Sequence, residues 1–328
     1  HPAALPTVEL SSIKMDLLRR DFSINALAVE INPQNFGRLV DFFGGQRDLK
    51  EKNIRVLHSL SFVEDPTRIL RAIRFEQRFN FHIGSQTKRL IKNALQLNLF
   101  HKLSGKRIFQ ELKLIMAEES PLPCLQRMQE FNLLTAIHPD FQLTTQKEKL
   151  LEKIEKVLDW YDLLYLEPKP ERWKVFFLGL LIGSKQEQIH HVAKRLDFPG
   201  KLEMFFVQLK KDIQKARDSL FWWQKNQEAV SRIYFILHNL PLEGVLFLMA
   251  SSRKEHTRKH ISMYLSQLKD TKIDISGKDL KALGLSPGPA YNRILNLILT
   301  AKLDGQAPDK NQQLELARKL IDTVGQEA

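Results

Sequence analysis

The stretch Glu64-Asp65-Pro66-Thr67-Arg68-Ile69-Leu70-Arg71-Ala72-Ile73-Arg74-Phe75 constrains this chain more than any other. It predicts the start of a helix. Asp65 is a good N-cap residue and Pro66 suits the first helical position. Glu64 and Asp65 sit at the positive end of the helix dipole. Arg68, Arg71 and Arg74 recur every third residue and form a loose stripe down one side, while Ile69, Leu70 and Ile73 give the helix an apolar side to pack.

A carboxylate and a guanidinium therefore stand side by side on the first turn. Cytosine and adenine each show an exocyclic amino donor beside a ring-nitrogen acceptor, which such a pair matches. Uracil and guanine show the reverse order and would leave polar groups unpaired. An ordinary capped helix with a local ion pair and solvated arginines accounts for the same residues.

A length of 328 residues predicts two or three domains with sizeable cores. Lys and Arg total 50 against 38 Asp and Glu, a net charge of +12, which favours a polyanionic partner such as nucleic acid. The single cysteine, Cys124, excludes an intramolecular disulfide framework and a multi-cysteine zinc site. It fits a reducing, cytoplasmic compartment. The longest apolar run, Val175 to Ile182, is too short to cross a bilayer and predicts a buried helix. No signal-peptide pattern is visible. The chain opens at His1, in His-Pro-Ala-Ala-Leu-Pro-Thr, and upstream residues are expected to be missing.

In chain order, Val8 to Ile13 predicts irregular structure and Lys14 to Ala28 a helix. Ala28 to Ile31 and Arg38 to Asp41 predict two short strands, joined by the turn Asn32 to Gly37 as a hairpin. A short helix over Arg47 to Glu51 and an apolar stretch from Ile54 to Leu57 follow. From about Ser61 the pattern turns helical and stays so. Ser104 opens a helix on which Arg107 and Glu111 are spaced to pair at i, i+4. Leu151, Ile154, Val157, Leu158, Tyr161 and Leu164 line an amphipathic helix that Pro168 and Pro170 break. Further helices centre near residues 178, 190, 210, 232 and 246. Lys210 to Arg217 and Arg253 to Lys259 are basic clusters, suited to phosphates or to a solvated helix face. Phe221-Trp222-Trp223 suits base stacking, with core packing the better expectation. Ile275 to Pro289 predicts helix, tight turn, helix, where backbone N–H groups can hold a phosphate or merely turn the chain.

Three stretches then stand in order: Arg19-Arg20-Asp21-Phe22-Ser23-Ile24-Asn25, Asp41-Phe42-Phe43-Gly44-Gly45-Gln46-Arg47-Asp48, and Glu64-Asp65-Pro66-Thr67-Arg68 with Arg71 and Arg74. Together they resemble the bacterial class II tRNA nucleotidyltransferases, which include CCA-adding and A-adding enzymes and the related poly(A) polymerases. The Arg107…Glu111 helix resembles the next motif of that family, and the Gly277 to Pro289 turn resembles its tail. The resemblance covers about residues 1–118 and 275–305.

It implies a mainly α fold with a small α+β N-terminal part: a truncated nucleotidyltransferase head (1–57), a helical neck carrying the recognition helix (58–122), a body (123–250) and a tRNA-binding tail (251–328). It also implies the site. Asp65 and Arg68 would read the base of incoming CTP or ATP, with Glu64 bracing Arg68. Arg19, Arg20, Asp21 and Asn25 would bind triphosphate and ribose. Asp41, Gly44, Gly45 and Asp48 would lie in a mobile loop that helps switch between C and A addition. Arg71, Arg74, Arg107 and Glu111 would support the pocket. The implied partners are tRNA and nucleoside triphosphates, and the implied metal is Mg2+ held by an Asp-x-Asp after a Gly-Gly turn.

That metal motif has no counterpart here, since Gly44-Gly45 already belongs to a later motif. The expectation is that the metal aspartates lie upstream of His1, and that this chain alone adds no nucleotides. A poly(A) polymerase and a non-catalytic RNA-binding helical fragment are the alternatives. A His-Asp phosphohydrolase is disfavoured, because His138 precedes Pro139 and His190 precedes His191.

Overall fold

The computed structural model describes residues 12–226 and 229–324. The opening His1 to Thr7, and residues 8–11 of the stretch expected to be irregular, lie outside the described residues. The fold is mainly α, with its few strands near the N-terminal end, and it divides into two compact units. The first comprises residues 1–158 and 171–207, the second residues 159–170 and 208–328.

The first unit opens with a short helix, Ile13–Leu18, capped by Ser12, whose side chain accepts the Met15 N–H. The sequence predicts this helix to continue to Ala28. Instead it stops at Leu18, a 3-10 turn covers Ser23–Asn25, and Leu27 already belongs to a strand. The reason is tertiary. Phe22 bridges Val56 in antiparallel fashion and the Ser23 N–H is donated to the Arg55 carbonyl at 3.0 Å. Phe22 is fully buried, edge-on to Phe75 at 5.8 Å. Sheet-like pairing and burial of one ring override the local helical preference.

The expected hairpin is present, with strands Leu27–Val29 and Leu39–Asp41 antiparallel and Leu27 opposite Asp41. Gly37, at φ 86°, closes its turn by donating to the Glu30 carbonyl, a backbone region that glycine enters without strain. A second pair, Asn53–Ile54 with His82–Ile83, is parallel and ties the end of the head region to the far side of the recognition helix. No local pattern marks that pair.

The recognition helix spans Arg68–Arg78, two residues later than Pro66 would set it. The preceding short helix, Ser61–Glu64, ends at Asp65, which is extended. The first turn then closes through tight bonds from Arg68 N–H to the Asp65 carbonyl and from Ile69 N–H to the Pro66 carbonyl, each 3.1 Å. The Asp65 side chain does cap this turn, accepting the Thr67 N–H at 3.0 Å. Ile69, Leu70, Ala72 and Ile73 are fully buried, so the apolar face anchors the element.

Beyond it, an aromatic core holds the helical part of the unit. Phe109 lies 4.5 Å from Phe198, and Phe177 lies 5.1 Å from Phe206, centroid to centroid. Gly179 lets helix Arg172–Leu180 press on helix Thr145–Asp162, because a Cβ there would meet Leu151 and Ile154 within 2.9 Å. That second helix ends at Asp162, ahead of the two prolines expected to break it.

The second unit is built of helices. Val230–Leu237, Leu242–Ser251 and Glu255–Met263 follow the long helix Gly200–Asn226. Gly277–Ala282, a turn with Gly284 at φ 91°, and Pro289–Leu303 form the expected helix, turn and helix. Ile275, Leu280, Ile294, Ile298 and Ala317 make its buried cluster. Among the described residues, no single helix is long and apolar enough to cross a membrane.

Candidate functional site

The expected recognition helix brings Asp21, Asn25 and Glu111 together on its arginine side. Arg71 donates from Nε and Nη2 to Asp21 Oδ2 at 2.8 and 2.6 Å, and from Nη1 to Glu111 Oε1 at 3.3 Å. Asp21 Oδ1 accepts from Asn25 Nδ2 and from the Phe22 N–H, both at 2.9 Å. Burial alone would lower Arg71, but Asp21 and Glu111 outweigh it and hold the guanidinium above its ordinary range. One turn on, buried Arg74 donates to Glu118 at 3.2 Å and lies 3.7 Å from Glu111, too far for a hydrogen bond. Arg71 and Arg74 are thus paired inward rather than solvated.

Arg107 and Glu111, expected to pair with each other along their helix, do not. Glu111 faces Arg71 and Arg74, while Arg107 reaches Asp65 Oδ2 at 2.7 Å and Thr67 Oγ1 at 3.4 Å. An exposed i, i+4 pair is worth only about 0.3–0.5 kcal/mol, so half-buried partners on a neighbouring helix win.

Asp65 and Arg68 lie on the same turn, and no ion pair joins them. Asp65 Oδ1 accepts both the N–H and the hydroxyl of Thr67, and Oδ2 accepts Arg107. Arg68 donates from Nη1 to the buried Ser61 hydroxyl at 2.7 Å and from Nη2 to the Arg19 carbonyl at 2.8 Å. Glu64, expected to brace Arg68, instead lies 3.5 Å from His58 Nε2. The brace falls to Ser61 and a backbone carbonyl because Glu64 ends the preceding helix and is exposed. Ser61, Thr67 and His58 carry no sequence signal for these roles. Arg19 and Arg20 are exposed, and Arg20 pairs loosely with Asp16 at 3.6 Å.

The four residues expected in a mobile loop lie at the end of strand Leu39–Asp41 and on the cap and body of helix Gly45–Lys50. Asp41 ends its strand and accepts N–H groups of Gly45 at 2.8 Å and Gln46 at 3.0 Å. Burial would raise its carboxyl, but donors from Gln46, Gly45, Phe43 and Gly44 outweigh it and hold it below the ordinary carboxylate value. Gly44, at φ 73°, caps helix Gly45–Lys50. Gly45 sits where a Cβ would come within 2.4 Å of the Ser23 carbonyl oxygen. Asp48 lies within that helix, not in a loop, and is fully buried. It accepts from Ser23 Oγ at 2.5 Å, Asn53 Nδ2 at 3.1 Å and Arg55 Nε at 2.8 Å.

The arrangement thus presents one carboxylate and one guanidinium on a single turn, each held by other groups. Each carboxylate oxygen has two lone pairs and a guanidinium five N–H donors. Oδ2 of Asp65 therefore keeps acceptor capacity, and Arg68 keeps donors. Among the described residues, no group of three or more His, Cys, Asp or Glu is placed to hold a metal ion.

Residues 3–55 match the family described as the poly A polymerase head domain, and residues 80–143 that described as the probable RNA and SrmB-binding site of polymerase A. The chain is similar to the A-adding tRNA nucleotidyltransferases of Geobacter sulfurreducens (44% identical, covering 98% of this chain and 37% of the relative) and Aquifex aeolicus (34%, 90% and 35%). It therefore spans little more than a third of the length of these two relatives. It is 31% identical to the A-adding tRNA nucleotidyltransferase of Halalkalibacterium halodurans, covering 98% of this chain and 71% of that protein.

Among solved structures it resembles a Thermotoga maritima CCA-adding enzyme complexed with tRNA, with TM-score 0.74, 34% identity and coverage of 95% and 74%. It also resembles a CCA-adding enzyme with ATP, with TM-score 0.72, 34% identity and coverage of 94% and 72%.

Proposed function

Because the chain belongs to the family of tRNA nucleotidyltransferases and poly(A) polymerases, we propose that it is the base-selecting and tRNA-gripping part of an enzyme that adds CMP or AMP to the tRNA 3′ end. The observation that carries this reading is the independent bracing of Asp65 and Arg68. Two groups locked on each other would offer a base nothing. Held apart by Arg107 and Thr67 on one side, and by Ser61 and the Arg19 carbonyl on the other, they keep an acceptor and donors for a nucleobase. Asp65 accepts a hydrogen bond from the exocyclic amino group of cytosine or adenine, and Arg68 donates to the neighbouring ring nitrogen. Uracil and guanine leave both unmatched, which is how a short turn stands in for a template strand.

Asp21 acts mainly by orienting Arg71 and Asn25, which leaves the exposed Arg19, Arg20 and Asn25 to meet triphosphate and ribose. Asp41, Gly44, Gly45 and Asp48 shape the turn beside that site. The head covers residues 1–57, the neck 58–122, the body 123–250 and the tail 251–328. ATP, with or without CTP, is the substrate, tRNA the partner and the cytoplasm the location. Mg2+ would serve the whole enzyme, but the described residues present no group that fits it. The chain by itself adds no nucleotides.

A-only addition is the narrower form of the reading, favoured by three A-adding relatives that each align with nine-tenths or more of the chain. The test is a primer series in the full-length protein: tRNA ending before, within and after CC, with CTP, ATP or both. Extension only of CC-ended tRNA by ATP supports A addition, and extension of all three primers supports CCA addition. Extension of none of the three, with tRNA still bound, reduces the chain to an RNA-binding module. Radiolabelled nucleotide on tRNA from this chain alone would refute its proposed inactivity.

A further inference from the structure

Core packing is the better sequence expectation for Phe221-Trp222-Trp223. In the second unit it fails for two of the three: Phe221 is 51% and Trp222 55% exposed. The two rings adjoin edge-on, with centroids 6.1 Å apart, so they form one patch rather than singly scattered apolar residues. Their setting narrows what that patch can bind. Lys254 Nζ lies 4.9 Å from the centroid of Phe221. Two further contacts fix the same corner: Trp223 lies edge-on to His260 at 4.5 Å, and Arg217 Nη2 donates to Ser251 Oγ at 2.9 Å. The fold therefore brings the aromatic triplet beside both basic clusters, residues 210–217 and 253–259, which lie some forty residues apart in sequence.

Exposed rings flanked by cations are the arrangement that binds unpaired bases. Every base has a π-face to stack, and the neighbouring cations take the phosphates. An apolar protein partner would find its contact bordered by the exposed Lys254 ammonium, whose charge it would have to desolvate. We propose that Phe221 and Trp222, with Lys254, form a stacking platform for unpaired nucleobases of an RNA. The platform rests on the proposed tRNA-gripping role and deepens it, giving the second unit a recognition element for bases and not only for the phosphate chain.

The test uses the full chain and fluorescence anisotropy with three probes: tRNA, a single-stranded uridine oligonucleotide, and the same oligonucleotide with abasic sites. Stacking on one ring is worth about 1–3 kcal/mol by alanine substitution, or roughly 5- to 150-fold in affinity. The Phe221→Ala/Trp222→Ala variant should lose about ten-fold or more for the base-bearing probes and little for the abasic one. Trp222→Phe should restore most of the loss. Lys254→Gln should weaken all three probes and lower their salt dependence.

ATP and CTP binding at the first unit, measured separately, should not move. If it is absent in every variant and in the parent chain, the base-selection reading fails while the platform can still hold. Equal affinity of parent and double variant for tRNA and for the uridine oligonucleotide, an equal loss on the abasic probe, or no RNA binding by the parent chain would each overturn the platform. So would association of two copies of the chain that the double variant abolishes. Because both rings are exposed, hydrogen exchange across helix Gly200–Asn226 should match the parent, which separates a binding loss from misfolding.

Discussion

Replacing Arg71 by alanine should cost the first unit more than an exposed ion pair is worth. Its guanidinium holds Asp21 Oδ2 at 2.6 and 2.8 Å and reaches Glu111 at 3.3 Å. Asp21 and Glu111 are 8% and 9% exposed, so the variant leaves two carboxylates with little water. Breaking a buried pair from one side costs about 3–5 kcal/mol. The lower end applies. Asp21 keeps two other donors at 2.9 Å, and the Arg71 side chain is 31% exposed, so water screens part of the pair. The expected loss is about 3 kcal/mol.

With two compact units, a single unfolding curve mixes transitions. Hydrogen exchange of the slowest amides in helix Arg68–Arg78 reads the first unit directly. The cycle is completed with Asp21→Ala and the double variant. The double variant should fall short of the summed single losses by about 2 kcal/mol, because the two side chains share one interaction. Strict additivity, or a loss for Arg71→Ala below about 1 kcal/mol, would show that the contact is a screened surface pair and that the inward arginine network does not hold the site.

Three further outcomes follow. In the full-length protein, Asp65→Ala or Arg68→Ala should raise UTP and GTP use relative to CTP and ATP, by ten-fold or more for about 1.4 kcal/mol of lost discrimination, with tRNA affinity unchanged; selectivity equal to the parent would remove Asp65 and Arg68 from base choice. Gly45→Ala should destabilise by about 1–3 kcal/mol, because its Cβ would meet the Ser23 carbonyl at 2.4 Å and backbone yields poorly; an unchanged thermal midpoint would contradict that contact. Asp41 titrates below its ordinary 3.8, so its stabilising part is present above that pH and fades as pH falls through the folded value. The stability gap between the parent and Asp41→Ala should therefore narrow in acid, and a gap constant with pH would place the Asp41 contribution elsewhere.

Much of this protein was legible in one dimension, and the legible parts share a cause. The hairpin from Leu27 to Asp41, the helix beginning near Asp65 and the helix, turn and helix after Ser276 are each specified by contacts within a few residues. Turn glycines, capping side chains and apolar periodicity act over that range. The order of the motifs through Arg19, Asp41 and Glu64 was enough to identify the family, because chemistry held at fixed spacing survives in a linear string.

The partners of those residues were not legible. Which guanidinium meets which carboxylate depends on where helices that are forty or fifty residues apart come to rest. Arg107 therefore left Glu111 for Asp65, and Arg71 took Asp21. Phe22 left a predicted helix to bridge Val56, and two rings expected in a core faced water, one of them beneath a lysine. Local propensity is worth tenths of a kcal/mol per residue, whereas burying a large ring or pairing a desolvated charge is worth several times that. The sequence by itself thus decided what kinds of groups this protein would carry and in what order, and tertiary packing, with the larger energies, decided which of them meet.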